Sequence, residues 1–489
     1  MRDLAENIFK NVLVGAEEDQ IKLLKSQNEV EHQNEAESTD SEVTGPSHQI
    51  ERLMQQYILD DAKCKKLSEV LLKEMEDGLS RERNAKAVIK MFPTYVRALP
   101  DGSETGNFLA LDLGGTNFRV LLITLKGSEV QMENKIFPIA EDIMLGPGTQ
   151  LFDHIAKCIA DFMAVHNLKD QKLPLGFTFS FPLKQEGLNV GRLVTWTKGF
   201  KCSGVVGNDV VRLLHEAVER RGDISVDCVA ILNDTVGCLM SCAFHDHNCE
   251  VGVILGTGSN ACYMEKIERV GTWDGDSGEP RQVIINTEWG AFGDNGAIDF
   301  VRTNVDKEVD SESINPGKQL YEKMISGMYM GEIARRCIVH AIKDGLILDG
   351  ELTDLMDQPQ RFYTKYVSEI EKDDEFGNFQ NTRMVLDELG YDDVTIEDCY
   401  NVRYISHIVG QRAAFLASSG IATLINRINK PQVTVAVDGS LYRYHPKFHD
   451  FMMEKISSLL NPGLKFKLML SDDGSGKGAA LVAAVSATS

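Results

Sequence analysis

The sequence lacks the features that mark several broad classes of protein. Its 489 residues include ten cysteines, but no two of them form a CxxC pair or a dense framework. This spacing is typical of a reduced, intracellular chain rather than a disulfide-stapled one. No apolar run approaches the roughly 18 residues of a membrane span, and the start lacks the basic-then-apolar order of a signal peptide. We therefore expect an intracellular protein without a membrane span.

Basic residues are also scarce. The chain has 51 Lys and Arg against 73 Asp and Glu, a formal net charge of -22 at pH 7 and a pI near 5.0. Nucleic acids and anionic membranes attract clustered cations, so neither is an expected partner. A phosphorylated small ligand is still compatible, because backbone amides and one or two local cations can hold a phosphate. Mitochondrial import is not expected, because Asp3 and Glu6 offset Arg2 and Lys10 and presequences are acid-poor.

The first fifty residues differ in composition from the rest. Residues 1–50 carry eleven acidic and four basic side chains, and the stretch NEVEHQNEAESTDSEVTGPSHQ has almost no apolar content. Such a segment cannot bury enough apolar surface to offset the entropy lost on ordering. We predict a disordered acidic extension over 1–50, with a tail that binds a protein partner as the sharper alternative.

From Ile50 onward, apolar periodicity predicts alternating helices and strands. Helical spacing covers residues 50–79. Strand-like runs are at 108–113, 118–125, 129–137, 173–181, 226–234, 250–256, 261–267, 283–289, 432–439 and 465–470. Helices are predicted near 149–165, 206–220, 235–243, 317–345, 403–428 and 446–460, and from Ser475. This interleaving predicts an α/β protein with mixed sheets.

Two segments share the order strand, glycine turn, strand. LALDLGGTNFRVLLI covers residues 109–123, and VGVILGTGSNACYME covers residues 251–265. Two similar hairpins of this kind suggest a duplicated ATP-binding half-domain. A third glycine turn, VAVDGSLY, lies at residues 435–442.

The first glycine turn has the composition of a phosphate loop. Gly114 and Gly115 permit positive φ and let backbone N–H groups approach a phosphate, while Thr116 and Asn117 add donors. Asp112, at the strand end, could hold a Mg²⁺ ion through water. The alternative is an ordinary tight β-turn, but DLGGTN is more specific than that turn requires.

Two other glycine strings resemble nucleotide motifs only formally. Residues 256–261 fit GxGxxG/A, but the following ACYMEKI alternates like a strand, and a dinucleotide motif needs a helix there. GSGKGAAL resembles a P-loop, but Ser471 stands at the first glycine position and Gly478 follows the lysine. We interpret this second string as a glycine-rich turn that caps the last helix.

A group of cysteines and histidines offers potential zinc ligands. Cys238, Cys242, His245, His247 and Cys249 lie close together in the sequence. Their spacing matches no common zinc module, and the two cysteines at i and i+4 on a predicted helix suit buried packing. We therefore disfavour zinc.

Polar side chains follow several predicted strands. They are Ser180, Thr197, Lys198, Asn233, Asp234 and Glu288. Ligands gather at the carboxyl ends of strands in α/β folds, and hydroxyls, amides, carboxylates and one lysine suit a polyhydroxylated substrate. The alternative for Asp234 is that it merely caps the helix that follows.

Together these strings resemble the eukaryotic hexokinase family of sugar kinases, in the actin-like ATPase superfamily. MFPTYVRALPDGSETGNFLALDLGGTNFRVLL, LGFTFSFP, TWTKGF, NDTVG, LGTGSNACYME, INTEWGAFGDNG, NPGKQLYEKMISGMYMGE, VDGSLYRYHPKF and SDDGSGKGAAL occur in the family's order over about 52–486. The resemblance implies a single hexokinase unit over 51–489, with two lobes around a cleft. The small lobe is expected over about 101–232 plus the C-terminal helix 474–489. The large lobe is expected over about 233–472 plus the N-terminal helices 51–100.

The resemblance implies phosphorylation of the 6-hydroxyl of glucose and related hexoses by MgATP. Asp234 corresponds to the general base, and Lys198 would help to neutralise charge. The implied sugar-binding residues are Ser180, Phe181, Thr197, Lys198, Asn233, Asp234, Asn260, Glu288, Gln319 and Glu322. The implied ATP-binding residues are Asp112, Gly114, Gly115, Thr116, Asn117, Arg119, Gly256, Thr257, Gly258, Thr364, Asp438, Gly439, Ser440 and Ser475.

The same interpretation leads to further expectations. Product inhibition by glucose 6-phosphate is one, since the phosphate turns could receive its phosphate in place of that of ATP. The expected compartment is the cytoplasm, because the N-terminus lacks an obvious hydrophobic mitochondrial anchor. The first alternative function is a non-catalytic glucose sensor. The second is an actin-like or chaperone ATPase, which TWTKGF, NTEWG and NPGKQLYE oppose because the nucleotide alone does not explain them.

Overall fold

The computed structural model describes residues 45–114, 117–127, 129–196, 199–374 and 377–488, with only the backbone at 117, 487 and 488. Most of the predicted acidic extension lies outside these residues. The compact unit begins at Gly45, a few residues before the predicted boundary at residue 50. Ile50 is 0% exposed, and the Ser47 amide donates to Asn401 Oδ1 at 2.8 Å. These contacts fix the segment just before the first helix.

The described residues contain thirteen strands. They are β1 Phe92–Pro93, β2 Thr105–Leu113, β3 Asn117–Lys126, β4 Glu129–Pro138, β5 Leu173–Phe179, β6 Leu183–Gly187, β7 Val190–Leu193, β8 Val226–Leu232, β9 Cys249–Leu255, β10 Ser259–Lys266, β11 Gln282–Asn286, β12 Gln432–Asp438 and β13 Lys465–Leu470. The predicted strands are therefore confirmed within a few residues at their ends. The β6–β7 hairpin was not predicted.

The same residues contain sixteen α-helices. They are α1 His48–Met54, α2 Asp61–Leu79, α3 Glu141–Leu145, α4 Gly148–Val165, α5 Val210–Arg221, α6 Asp234–Ala243, α7 Asn304–Ser311, α8 Leu320–Ile325, α9 Met330–Lys343, α10 Asp354–Asp357, α11 Thr364–Ile370, α12 Gln380–Glu388, α13 Ile396–Ile428, α14 Ser440–Tyr444, α15 Phe448–Leu459 and α16 Gly474–Thr488. Short 3₁₀ turns join some of them.

Two sheets of the described chain repeat one topology. The first has the order β4-β3-β2-β5-β8, and the second has the order β1-β11-β10-β9-β12-β13. In each sheet the first three main strands form antiparallel pairs, and the next two are parallel to the first. Apart from the short β1, both sheets therefore have the order 3-2-1-4-5. The predicted α/β class with mixed sheets is confirmed, and the internal echo in the sequence is matched by this repeat.

The helix that follows the fifth strand of each sheet packs on the other sheet. After β8, α6 lies mainly against β9, β10 and β12, whereas α16 follows β13 and lies against β2, β5 and β8. Buried residues of both helices share one apolar core with residues from both sheets. The two sheets are thus linked by an exchange of helices, and the ends of β8 and β13 come close together.

Glycines allow α6 and α16 to touch. A Cβ on Gly478 would lie 2.1 Å from the Gly237 carbonyl oxygen, and one on Gly237 would lie 2.9 Å from the Gly474 oxygen. Gly237 lies inside α6. GSGKG was expected as a capping turn, but it forms the first turns of α16. Gly237 and the glycines of GSGKG therefore serve helix–helix packing.

The longest helix is part of the core. Among the residues that the structure describes, α13 is one helix that is long and apolar enough to cross a membrane, but 94% of the relevant window is buried. Its buried face packs with α2, α9 and α15. We interpret it as a core helix.

One predicted helix is interrupted, whereas another is confirmed as α15, Phe448–Leu459. The helix expected over 317–345 is split into α8 and α9, because the Gly327 amide donates to the Gly256 oxygen at 2.8 Å and the Met328 amide donates to the Thr257 oxygen at 3.3 Å. The helix expected over 446–460 is preceded by the separate α14, which ends before His445 and Pro446. In the first case a tertiary contact outweighs helical propensity.

Candidate functional site

An amide cluster lies where β8, β10 and β11 meet. We define it as Asn233, Asn260, Asn286 and Glu288. Asn260 Nδ2 donates to Asn286 Oδ1 at 2.8 Å, to Glu288 Oε1 at 3.3 Å and to Asn233 Oδ1 at 3.4 Å. Asn286 Nδ2 donates to Glu288 Oε1 at 2.8 Å. The cluster thus joins the last strand of one sheet to two strands of the other.

Asn233 and Asp234 lie at the junction of β8 and α6. The strand ends at Leu232, two residues earlier than its predicted end at Asp234. Asn233 is the N-cap, because its Oδ1 accepts from the Thr235 amide at 3.0 Å and from the Thr235 hydroxyl at 2.8 Å. Asp234 is the first helical residue rather than the cap. Its carboxylate is half-buried at the helix N-terminus, where the helix dipole favours negative charge.

Two site residues occupy left-handed backbone conformations. Glu288 has φ 54° and Gln319 has φ 58°. The Asp294 carboxylate holds the second by accepting from the Gln319 amide at 3.1 Å and from the Leu320 amide at 3.0 Å. Positive φ is unusual for residues other than glycine and is often found at functional sites. The Gln319 side chain lies against the turn that directly follows Glu288, since a Cβ on Gly290 would lie 2.2 Å from Gln319 Oε1.

Glu322 supports the second glycine turn. Its Oε2 accepts a hydrogen bond from the Ser259 amide at 2.8 Å. A Cβ on Gly258 would lie 2.6 Å from the same oxygen, so a larger residue there would displace the Glu322 carboxylate. Glu322 therefore connects the expected sugar-binding residues with the second expected phosphate turn.

An arginine clamp holds the first hairpin. We define it as Asp112, Arg119, Asp473 and Ser475. Asp112 Oδ2 accepts from Arg119 Nη2 at 2.8 Å and from Ser475 Oγ at 2.7 Å, while Arg119 Nη2 lies 2.6 Å from Asp473 Oδ1. Burial lowers the pKa of Arg119, but the two carboxylates outweigh burial and raise it. The clamp ties β2 and β3 to the start of α16.

Five residues that are expected to bind ATP or that lie beside such residues form a glycine-lined junction. We define it as Gly256, Gly327, Thr364, Gly439 and Ser440. Thr364 Oγ1 donates to the Gly327 oxygen at 2.6 Å, and the Gly327 amide donates to the Gly256 oxygen at 2.8 Å. A Cβ on Gly256 would lie 3.5 Å from Gly439 Cα and 3.8 Å from the Ser440 nitrogen. The second glycine turn, the start of α11 and the start of α14 therefore meet at one point.

Asp438 lies between this junction and Asp234. Burial raises the pKa of Asp438, and the charge of Asp234 raises it further. The Gly439 and Gly474 amides and Arg443 oppose the shift. Two carboxylates at the ends of different strands therefore share one electrostatic environment.

The remaining expected residues fall into three groups. Ser180 is buried after β5, and its Oγ would lie 3.4 Å from a Cβ on Gly114. Phe181 packs with Trp196 and Phe200, at centroid distances of 4.9 and 5.1 Å. Gly115, Thr116, Thr197 and Lys198 lie outside the described residues, as does the side chain of Asn117. Thr257 is exposed at the tip of its turn.

The cysteine and histidine group has packing contacts. The Cys238 thiol donates to the Val253 oxygen at 3.7 Å, and the Cys249 thiol to the Leu239 oxygen at 3.7 Å. His245 Nε2 lies 2.9 Å from Lys477 Nζ. Within the described ranges, no group of three or more His, Cys, Asp and Glu side chains could hold a metal ion.

Sequence reasoning missed three residues of this site. Asn286 bridges Asn260 and Glu288, Asp294 holds the Gln319 turn, and Asp473 completes the arginine clamp. Asn286 could have been found, because it is a polar residue at the end of an apolar strand. The other two act through contacts with distant residues, which no local pattern reveals.

Comparison with known proteins agrees with this arrangement. Two models of the hexokinase family match residues 49–244 and residues 250–485. The solved hexokinase of Schistosoma mansoni, in complex with glucose, is 44% identical with a TM-score of 0.82, covering 89% of this chain and 98% of that one. The chain belongs to the hexokinase family.

Longer relatives match as well. Human hexokinase-2 is 48% identical over 452 residues, which cover 90% of this chain and 48% of the relative. Mouse hexokinase-1 is 46% identical over 446 residues, covering 89% of this chain and 45% of the relative. The chain therefore spans about half the length of the curated relatives it matches. Its fold is that of the solved hexokinases, two mixed sheets with helices.

Proposed function

We propose that this chain is an ATP-dependent hexokinase that phosphorylates the 6-hydroxyl of glucose and related hexoses. The observation that carries the proposal is the amide cluster next to Asp234, together with the likeness to a hexokinase solved with glucose. Carboxylates accept hydrogen bonds from sugar hydroxyls, and amides both donate and accept. In this proposal Asn233, Asn260, Glu288, Gln319 and Glu322 bind the sugar. Ser180, Phe181, Thr197 and Lys198 complete the site.

Asp234 is the general base of the proposed reaction. Its carboxylate takes the proton of the 6-hydroxyl as that oxygen attacks the γ-phosphoryl group. A positioned general base accelerates a reaction roughly 10² to 10⁴-fold. Lys198 helps to neutralise the charge that develops on the transferred group, because phosphoryl transfer depends on positioning and electrostatic stabilisation.

Two glycine turns and the junction between α11 and α14 bind the nucleotide in this proposal. Gly114, Gly115, Thr116, Asn117 and Arg119 form the first phosphate turn, and Gly256, Thr257 and Gly258 form the second. Thr364, Asp438, Gly439 and Ser440 contact the adenosine, and Ser475 lies near the phosphates. The fit is supported by the backbone amides and glycines that meet at the junction. Mg²⁺, which arrives with ATP, prefers oxygen ligands and retains waters, so Asp112 would hold it through water.

Closure of two lobes follows from the same proposal. The small lobe covers about 101–232 plus α16, and the large lobe covers about 233–472 plus the N-terminal helices. Closure would keep water from the γ-phosphoryl group. The contact of α6 with α16 supports a pivot near Gly237. Solution scattering should show compaction at saturating glucose, and an unchanged curve would contradict closure.

Regulation and location belong to the proposal too. Glucose 6-phosphate should inhibit, because its phosphate could take the place of an ATP phosphate at the first turn. We further propose that the protein acts in the cytoplasm, where glucose and ATP are both present.

A coupled assay of glucose 6-phosphate formation by the purified full chain tests the proposed function. We expect product formation that saturates with both glucose and ATP. ATP hydrolysis that is independent of sugar would instead favour an ATPase without a sugar substrate. Glucose binding without any product would favour a sensor.

A further inference from the structure

A buried carboxylate outside the proposed site joins three segments of the chain. Glu371 directly follows α11, and its side chain is 0% exposed. Its Oε1 accepts a hydrogen bond from His407 Nδ1 at 2.9 Å and lies 3.0 Å from Lys447 Nζ. His407 belongs to α13, and Lys447 immediately precedes α15. One oxygen atom therefore ties the end of α11 to two other helical segments.

Glu371 is ionised although its side chain is buried. Burial raises the pKa of this carboxyl, but the hydrogen bond from His407 and the charges of His407 and Lys447 outweigh burial and lower it. Within the described residues, Glu371 Oε2 and the nearby His445 Nε2 are buried without a hydrogen-bond partner. An ionised buried group costs several kcal/mol unless it is paired. Its pairing is therefore expected to fix the geometry of its neighbours.

The segments held by Glu371 lead directly to the glycine-lined junction. Thr364, the first residue of α11, bonds to Gly327, and Ser440, the first residue of α14, lies beside Gly256. Both helices are short, with seven and five residues. At 1.5 Å per residue, α11 extends only about 10 Å from Thr364 to its end. A shift where α11 and α14 end would therefore reach the junction where they begin.

We propose that Glu371 is a positioning residue for the nucleotide. By holding His407 and Lys447, its carboxylate fixes the position of the end of α11 relative to the short segment that links α14 to α15. It thereby sets the spacing of Thr364 and Ser440, which frame the adenosine side of the site. The inference rests on the proposed hexokinase function, because that function assigns ATP to this junction.

Glu371→Gln tests this inference, because it keeps the shape and removes the charge. Loss of hydrogen bonds to a charged group should raise the KM for ATP roughly 10-fold. The KM for glucose and kcat should stay within about twofold, since a fault confined to the junction affects only nucleotide binding. If Glu371 contributed only to general stability, Glu371→Gln would lower the melting temperature without a selective rise in the KM for ATP.

Glu265→Gln is a matched control. Glu265 is also a buried carboxylate, with a side chain 2% exposed, and it accepts from Tyr263 Oη at 2.8 Å and pairs with Arg427. It lies at the end of β10 away from the glycine turn. The control should lose stability but keep the parent KM for ATP.

The result that would overturn the inference is an unchanged KM for ATP in folded Glu371→Gln, or an equal rise in Glu265→Gln. Should Glu371→Gln fail to fold, Lys447→Met removes one contact at a side chain that is 35% exposed. It should raise the KM for ATP by a smaller factor, and no rise would count against the inference. Calorimetric titration with a non-hydrolysable ATP analogue repeats the comparison without catalysis. Absence of glucose phosphorylation by the parent chain would then reject the proposed function, while the ratio of Kd values would still decide the role of Glu371.

Discussion

The two sheets share a strand order but carry different side chains at corresponding positions. In the first hairpin, Asp112 precedes the glycine turn by two residues, whereas Ile254 has that position in the second. The second sheet has a carboxylate one strand away, at Asp438, which pairs with Ile254 across β12 and β9. At the strand–helix junctions, β8 leads to Asn233 and Asp234, and β13 leads to Asp472 and Asp473.

One site can form on a repeated scaffold because the two repeats carry different side chains. The exchange of α6 and α16 brings corresponding edges of both sheets together, so each edge needs to contribute only part of the chemistry. The second sheet contributes most of the amide cluster, while the arginine clamp joins Asp112 and Arg119 of the first sheet to Asp473 and Ser475, which follow the second sheet.

Asp112 in the first hairpin should affect kcat/KM for ATP, whereas Ile254, at the corresponding position of the second hairpin, should not. Asp112→Asn weakens bonds to Arg119 and Ser475, and hydrogen bonds to charged groups contribute about 1.5–3 kcal/mol. We expect kcat/KM for ATP to fall roughly 10- to 100-fold. Steady-state kinetics at saturating glucose measures the change. Ile254→Val is the control and should stay near the parent value; similar losses in both variants would contradict the contrast between the hairpins.

The contact between α6 and α16 should tolerate no added carbon. Gly478→Ala places a Cβ against the backbone of Gly237, and overpacking of this kind costs about 1–3 kcal/mol or more. Thermal unfolding should begin several degrees lower. In the control Gly476→Ala, the added Cβ would meet the Leu121 side chain at 2.6 Å, and that side chain can move. An equal loss in both variants would show that the backbone contact is not decisive.

Acid should destabilise the part of the protein around the second sheet, because His445 is buried there in its neutral form. Burial lowers the pKa of His445 to about 4, in a setting shared with Glu371, His407 and Lys447. The unfolded chain binds this proton from about pH 6.5 downward and the folded chain does not, so stability is lost as pH falls from 6.5 toward 4. The loss between pH 7 and pH 5 should be about 2 kcal/mol.

Urea unfolding at several pH values measures this dependence. His445→Gln should flatten it, because the new side chain does not titrate. His247→Gln, at an exposed position, is the control and should keep the parent slope. A slope unchanged in His445→Gln would assign the acid sensitivity to another group.

The amide cluster should show the smallest effect. Asn286→Ala removes the bridge between Asn260 and Glu288, at about 1 kcal/mol for a typical hydrogen bond. The KM for glucose should rise roughly 5-fold, with the KM for ATP unchanged. Asn107→Ala is the control in the first sheet, because its bond to Thr124 is exposed. A rise in the KM for ATP alone would place Asn286 outside sugar binding.

Much of this fold could be predicted from sequence periodicity. The strands around both glycine turns were predicted within a few residues, because buried strands of five to ten residues have clear apolar patterns. The helix over 317–345 was predicted without its interruption, because the break depends on bonds from Gly327 and Met328 to a turn seventy residues earlier. Short helices such as α11 and α12 were missed, since their stability comes from tertiary packing.

The site was predicted in composition but not in geometry. Asn233 and Asp234 follow a strand, a signal that sequence reasoning can use. The left-handed backbone at Glu288 and Gln319 has no local signature, since neither is glycine. The start of the compact unit at Gly45 has no local signature either, because Ser47 is held by Asn401, which is distant in the sequence.

The most direct test compares aspartates at the corresponding strand–helix junctions. Asp234→Asn and Asp473→Asn are assayed in parallel for glucose 6-phosphate formation. We predict that Asp234→Asn lowers kcat roughly 10² to 10⁴-fold, as expected for loss of a general base. Asp473→Asn should mainly raise the KM for ATP, through its contact with Arg119. The account would be contradicted if Asp234→Asn kept the parent kcat, or if Asp473→Asn lost as much.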